Sequence, residues 1–97
     1  MTAHPAITRN DLAALRSANH DKAIREIAGK AAATAGMTLA RVLGPDRTTA
    51  ANRVRDAICF VAVRQGYNFE QIAQVLRRDP TTISAAYRRE CARRSQP

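Results

Sequence analysis

Only Arg77, Arg78 and Asp79 separate two segments that carry strong helix signals of their own. In the first, Asn68 precedes an apolar-periodic stretch and Gln71 follows three residues on. This is the spacing of a capping box, in which each side chain satisfies an amide that the helix start leaves without a partner. Tyr67 and Ile72 occupy the positions of a hydrophobic staple, so a helix is predicted over residues 69–76. In the second, Asp79 stands at a cap position and Pro80 at the first helical position, where a missing N–H costs nothing. That helix is predicted over residues 80–93. Two short helices joined by about three residues, the second opening on small polar side chains, describe a helix-turn-helix.

The rest of the 97 residues must supply a body for this pair, with little bulk to do it. Twenty residues are alanine, while Ile, Leu and Val together number 16 and Trp is absent. Such a chain favours helices over strands. Residues 11–17 read as a short helix with Asn10 as its cap. Residues 21–34 carry Ile24, Ile27, Ala28 and Ala31 at helical spacing. Residues 38–43 form a turn or two capped by Thr38. Residues 49–65 place Val54, Ile58 and Val61 on one face. The centre of that segment, residues 57–63, is apolar all round and admits a strand reading. Its flanks keep the helical pattern and Gly66 suits the residue after a helix end, so it is read as a central buried helix. The expected fold is all-α, a small domain of five to six helices. Residues 1–20 form an N-terminal extension with a short helix, whose Ile7, Leu12 and Leu15 cover the core; residues 21–94 form the main domain and 95–97 a tail. Ile58 and Ile72 are expected in the core, and Cys59 as a buried thiol. Cys59 and Cys91 make no disulfide framework.

The formal net charge is +8, carried by 14 Arg and 2 Lys. A charge this large on so short a chain implies a polyanionic partner, nucleic acid or an acidic membrane surface. From Arg77 onward six arginines face Asp79 and Glu90, a net +4. In the last helix Ile83, Ala86 and Tyr87 share the inward face, expected against Ile72 and Leu76. Thr81, Ser84, Ala85, Arg88 and Ala92 share the other. Small side chains let a helix sit deep in a major groove, Thr hydroxyls hydrogen-bond base edges, and Thr or Ala methyls meet the thymine methyl. Arg77, Arg78, Arg88, Arg89, Arg93 and Arg94 flank this face; the plain alternative is a solvated basic surface. No run is long enough to span a bilayer, no signal-peptide pattern is present, and the basic helix lacks the bulky apolar face of a membrane binder. Gly29 and Lys30 form no phosphate loop, since Ala31 follows where Ser or Thr is needed. His4 and His20 have no ligand-spaced partners, and Ser17, Ser84 and Ser95 have no His–Asp company. No enzyme activity, cofactor or metal is expected.

Four stretches carry a family resemblance: MTLARVLG from Met37 to Gly44, NRVRDAI from Asn52 to Ile58, QIA at residues 71–73, and RDPTTI from Arg78 to Ile83. With Arg47 between the first two, residues 24–89 resemble the DNA-binding domain (domain IV) of the bacterial chromosomal replication initiator DnaA. RDPTTI matches that family's Arg-Asp-His-Thr-Thr-Val signature at five of six positions, counting Ile for Val. The resemblance implies a minor-groove role for Arg47 and phosphate contacts for Arg55 and Arg78. It implies major-groove contacts for Asp79, Thr81 and Thr82, with Pro80 at the signature's histidine position. Ala85 and Arg88 continue that face. Three departures stand out: Pro80 cannot donate the hydrogen bond of that histidine, Arg77 stands where glycine is usual in a turn one residue longer, and Asp56, for a usual Gln, should repel phosphate. The expected function is a cytoplasmic, nucleoid-associated transcription regulator that binds double-stranded DNA sequence-specifically. It is expected to act as an activator, and stand-alone proteins similar to it activate gene transfer agents. The alternatives are a replication modulator that competes with the initiator at origin sites, and a protein-interaction module that recruits RNA polymerase or a second regulator through residues 1–20.

Overall fold

Each helix start found in the sequence from Thr38 onward is capped as its residues dictate. The computed structural model describes residues 9–95 and, among them, five helices and no strand. These are α1 (Arg9–Thr34), α2 (Leu39–Leu43), α3 (Thr49–Arg64), α4 (Phe69–Leu76) and α5 (Pro80–Ser95). The fold is all-α. Thr38 Oγ1 accepts from the Arg41 amide at 3.1 Å, and Thr48 Oγ1 from the Ala51 amide at 3.3 Å. Asn68 and Gln71 close the reciprocal box: Asn68 Oδ1 accepts from the Gln71 amide at 2.8 Å and Gln71 Oε1 from the Asn68 amide at 2.9 Å. Asp79 Oδ1 accepts from the Thr81 amide at 2.8 Å. α3 stops at Gly66, whose φ of 99° is open to glycine at little cost, and the Tyr67 amide returns to the Ala62 carbonyl at 3.1 Å.

The break expected between residues 17 and 21 does not occur. α1 runs unbroken through Ala18, Asn19 and His20. None of these is Gly or Pro, and Asn or His inside a helix costs at most about 0.7 kcal/mol. Asn10 lies within α1 and so does not cap a helix starting at Asp11; its side chain, Pro5 and Ile7 lie outside the described residues. Leu12 and Leu15 do not cover the core, as they are 43% and 56% exposed. At the other end Ser95 belongs to α5, its Oγ donating to the Cys91 carbonyl at 2.8 Å.

α3 is the centre of the packing and touches all four other helices. Its Val54, Ile58, Cys59 and Ala62 meet Ile24, Ala28 and Ala32 of α1, Val42 of α2, Ile72, Ala73, Val75 and Leu76 of α4, and Ile83 and Ala86 of α5. The alanines bring the helix axes close, so few large side chains fill the core. Ile24, Ile58, Ile72, Leu76 and Ile83 carry most of it, and truncation of any to Ala costs about 2–5 kcal/mol. Rings also hold α5 in place: Phe60 of α3 stacks on Tyr87 at 6.0 Å, and Phe69 of α4 tilts against Tyr87 at 6.1 Å. Arg94 lies over the Phe60 ring at 4.1 Å. α1 is tied to α4 where Gln71 Nε2 meets His20 Nδ1 at 2.6 Å and the His20 ring meets Tyr67 edge-on at 5.5 Å.

Candidate functional site

The end of α2 decides where the basic side chains go. A helix end leaves carbonyls without intrahelical partners, and here two arginines from distant elements supply them. Arg55 is only 7% exposed. Its Nε donates to the Val42 carbonyl at 2.8 Å, and its Nη2 to the Gly44 and Arg41 carbonyls at 3.1 and 3.4 Å. Its Nη1 donates to Asn52 Oδ1 at 2.9 Å. Arg78 Nη2 donates to the same Gly44 carbonyl at 2.6 Å, while its Nη1 reaches the Leu76 carbonyl at 2.8 Å. Burial, and then the neighbouring Arg78 charge, lower the Arg55 pKa. Arg55 thus has a structural role, in which its donors close α2.

Beyond Gly44 the loop is fixed from both sides. The Asp46 carboxylate accepts from Arg41 Nε and, at 2.8 Å, from the Thr48 amide. The Arg41 guanidinium and that amide hold its carboxyl far below the usual carboxylate range. Asn52 Nδ2 donates to the Arg47 carbonyl at 3.2 Å. The Arg47 backbone is thus anchored while its side chain stays exposed.

The turn between α4 and α5 holds Arg77 at φ 56°, ψ 46°, in the left-handed region. This is the conformation that glycine adopts freely and an L side chain adopts at a cost of about 1–2 kcal/mol. Together these elements enclose an open cavity of about 500 Å³ lined by Pro45, Arg47, Asn52, Arg55, Arg77, Arg78 and Thr82. Four arginines and no acidic residue line it. Concave walls bearing one sign of charge focus the field and concentrate counter-ions.

Thr82 joins this basin to the outer face of α5. Pro80, Thr81, Thr82 and Arg88 are exposed, and Ser84 and Ala85 are half-buried. Arg88 Nη2 donates to Ser84 Oγ at 2.9 Å, one turn back. Ile83 and Ala86 are buried on the opposite face as expected, with Tyr87 packed beside them. Asp79, expected to contact DNA, places Oδ1 on the cap of α5.

Asp56 does not face outward. It is 1% exposed, beneath α5. Arg89 grips it in a fork, Nη2 to Oδ1 at 3.0 Å and Nε to Oδ2 at 3.2 Å, and Arg93 Nη1 reaches Oδ2 at 3.0 Å. The expected repulsion of phosphate by Asp56 is overturned: a buried carboxylate matched by two guanidinium groups presents no net negative charge to a ligand. Arg93 and Arg94 also bind Glu90, at 2.8 and 3.1 Å. Three of the six arginines read as flanking the outer face thus have acidic partners.

The structure gathers Arg47, Arg55, Arg78 and Thr82 around one cavity, and strings Pro80, Thr81, Ala85 and Arg88 along α5. Absent from the sequence-based site were Asn52 and Arg77 as walls of the basin. Arg77 had a signal, a side chain in a turn that favours glycine; Asn52 had none beyond its place in a motif. No protein-family model, curated protein or solved structure matches the chain. No helix among the described residues is long and apolar enough to cross a membrane.

Proposed function

We propose that the chain binds double-stranded DNA sequence-specifically and acts as a transcription regulator, an activator, in the bacterial cytoplasm. In this reading it is a relative of the initiator's domain IV. α4 and α5 act as a helix-turn-helix with α5 in the major groove, and Arg47 reaches the adjacent minor groove. The observation that carries the reading is the acid-free basin of arginines opening directly onto the exposed, small-residue face of α5. Phosphates would lie against Arg77, while Thr81, Thr82 and Ala85 meet base edges and thymine methyl groups. Arg55 and Arg78 hold the frame, and Pro80 contributes shape alone.

The test is selection of duplexes from a random pool, followed by fluorescence anisotropy across a salt series. Specific duplexes should bind at least about 10³-fold more tightly than random ones. The logarithm of affinity should fall linearly with the logarithm of salt, by about 0.9 per phosphate neutralised. Thr81→Ala should reduce specific binding by about 1–3 kcal/mol and relax sequence preference. Equal losses on specific and random DNA would remove α5 from the role of reader, and no duplex binding at low salt would end the proposal.

A further inference from the structure

The carboxylates are shared out unevenly among the arginines. Asp46 pairs with Arg41, Asp56 with Arg89 and Arg93, and Glu90 with Arg93 and Arg94. None of these arginines lines the basin. The four that do, Arg47, Arg55, Arg77 and Arg78, make no ion pair among the described residues. Arg55 is the sharpest case. It is 7% exposed, and charges this deeply buried are ordinarily paired. Yet its hydrogen bonds all go to neutral oxygens, three backbone carbonyls and the Asn52 amide. Arg78 donates to the Gly44 carbonyl that Arg55 also uses, so two like charges meet over one neutral atom. Burial and the Arg78 charge lower the Arg55 pKa; Asp46 opposes both, but its carboxylate is already held by Arg41 and the Thr48 amide. The side chains of Arg47 and Arg77 are exposed and make no hydrogen bond among the described residues. A wall of four cations therefore lacks its counter-anion.

We propose that the basin binds a free phosphate compound with two or three linked phosphate groups. Charge and space select this class of ligand. One phosphate group carries about −1.5 to −2 at neutral pH and leaves much of a four-arginine wall unmatched, whereas a di- or triphosphate comes close to balance. The cavity of about 500 Å³ falls within the range of about 300–1,000 Å³ found for small-ligand sites. Arg55 and Arg78 are already fixed by their carbonyls, so little freedom is lost when a ligand meets them. Arg47 and Arg77 are free to close on phosphate oxygens, each with a fork of donors. The Thr82 hydroxyl, at the rim, is a further donor. Binding of such a compound does not require the DNA-binding reading, although it uses the same basin. Where that reading also holds, ligand and duplex compete for Arg77, and the compound lowers DNA binding.

Isothermal titration calorimetry of the full chain without DNA, at constant ionic strength, tests it. The probes are inorganic triphosphate, pyrophosphate, orthophosphate and sulfate. Triphosphate should bind at one site, at least about tenfold more tightly than orthophosphate or sulfate. Arg47→Ala and Arg77→Ala should each weaken it by about 3–10-fold with the circular dichroism spectrum kept, since both residues are exposed. Arg16→Ala and Arg25→Ala, exposed on α1 and no part of the basin, should leave it unchanged. A nucleoside triphosphate should bind too, and the tighter of the two triphosphates tells an inorganic chain from a nucleotide as the source. No saturable binding of triphosphate overturns the proposal. So does binding that ignores Arg47→Ala and Arg77→Ala, or that falls equally with Arg16→Ala and Arg25→Ala, the mark of diffuse attraction to the net charge. Adding triphosphate to a labelled duplex complex separates the two readings. Displacement upholds both, whereas one-site binding of triphosphate without displacement upholds the phosphate site and takes the duplex out of the basin.

Discussion

Arg77→Gly should raise stability and lower DNA binding at once. In the left-handed region an L side chain costs about 1–2 kcal/mol, and Arg77 sits there at φ 56° and ψ 46°. Glycine removes that strain but adds freedom to the unfolded chain, which offsets about 0.5–1 kcal/mol. The net gain is about 0.5–1 kcal/mol. For a domain of this length, 1 kcal/mol moves the melting temperature by about 4–8 °C, so a rise of about 2–8 °C is expected. The Arg77 amide, which bonds to the Ala73 carbonyl, is unaffected. The same substitution takes one charge from the basin. Affinity for all duplexes should fall alike, and the salt slope should become shallower by about 1. Arg77→Ala separates the effects: it removes the charge, keeps the strained backbone, and should weaken binding with no gain in Tm. Thermal unfolding followed by circular dichroism and anisotropy at several salt concentrations measure both. An unchanged or lower Tm for Arg77→Gly refutes the strain argument; an unchanged salt slope refutes the placement of Arg77 on the DNA.

Other substitutions probe the frame. Arg55→Ala should cost about 2–4 kcal/mol in urea unfolding, because it strips partners from the buried end of α2; Arg55→Lys should recover little, since an ammonium cannot reproduce the fork of bonds. Acid should loosen the loop and α5. Asp46, held ionised by Arg41 and Thr48, has a lowered pKa. Glu90, where burial opposes ionisation but Arg93 and Arg94 outweigh it, is lowered too. Their stabilisation is therefore complete above the ordinary carboxylate range of about 4 and lost as pH falls through the folded values. Tm should be flat from about pH 5 to 7 and drop below about pH 4, with a shallower drop in Asp46→Asn. Cys59, whose thiol burial pushes up to about 12, should resist alkylation until the protein unfolds, as counted by mass spectrometry in Cys91→Ser.

The sequence disclosed what is local. Asn68 with Gln71, Thr38, and Asp79 before Pro80 act on amides two or three residues away, so the limits of α2 and α4 and the start of α5 could be read from spacing. The continuity of α1 could not, because nothing at Ala18, Asn19 and His20 signals a helix that simply carries on. The structural bonds of Arg55 and the burial of Asp56 were hidden for a different reason. Their partners lie 13 and 33 residues away along the chain, and only the approach of α2 and α5 to α3 shows how both are paired and largely buried. Resemblance transferred a residue's place in the chain without its burial. Arg77 was visible as a departure from glycine, but its cost became clear only with its φ value.

The Gly44 carbonyl shared by Arg55 and Arg78 has one further consequence. It joins the loop that bears Arg47 to the α4–α5 turn, so the two elements cannot slide past each other. Under the proposed DNA-binding reading, such a body would act as a ruler of fixed length, with one mark in each groove. An added base pair between the marks would displace one of them by about 3.4 Å and swing it by about 34° around the axis. The operator should therefore tolerate many changes of base between the two contacts, yet fail on a single insertion or deletion there.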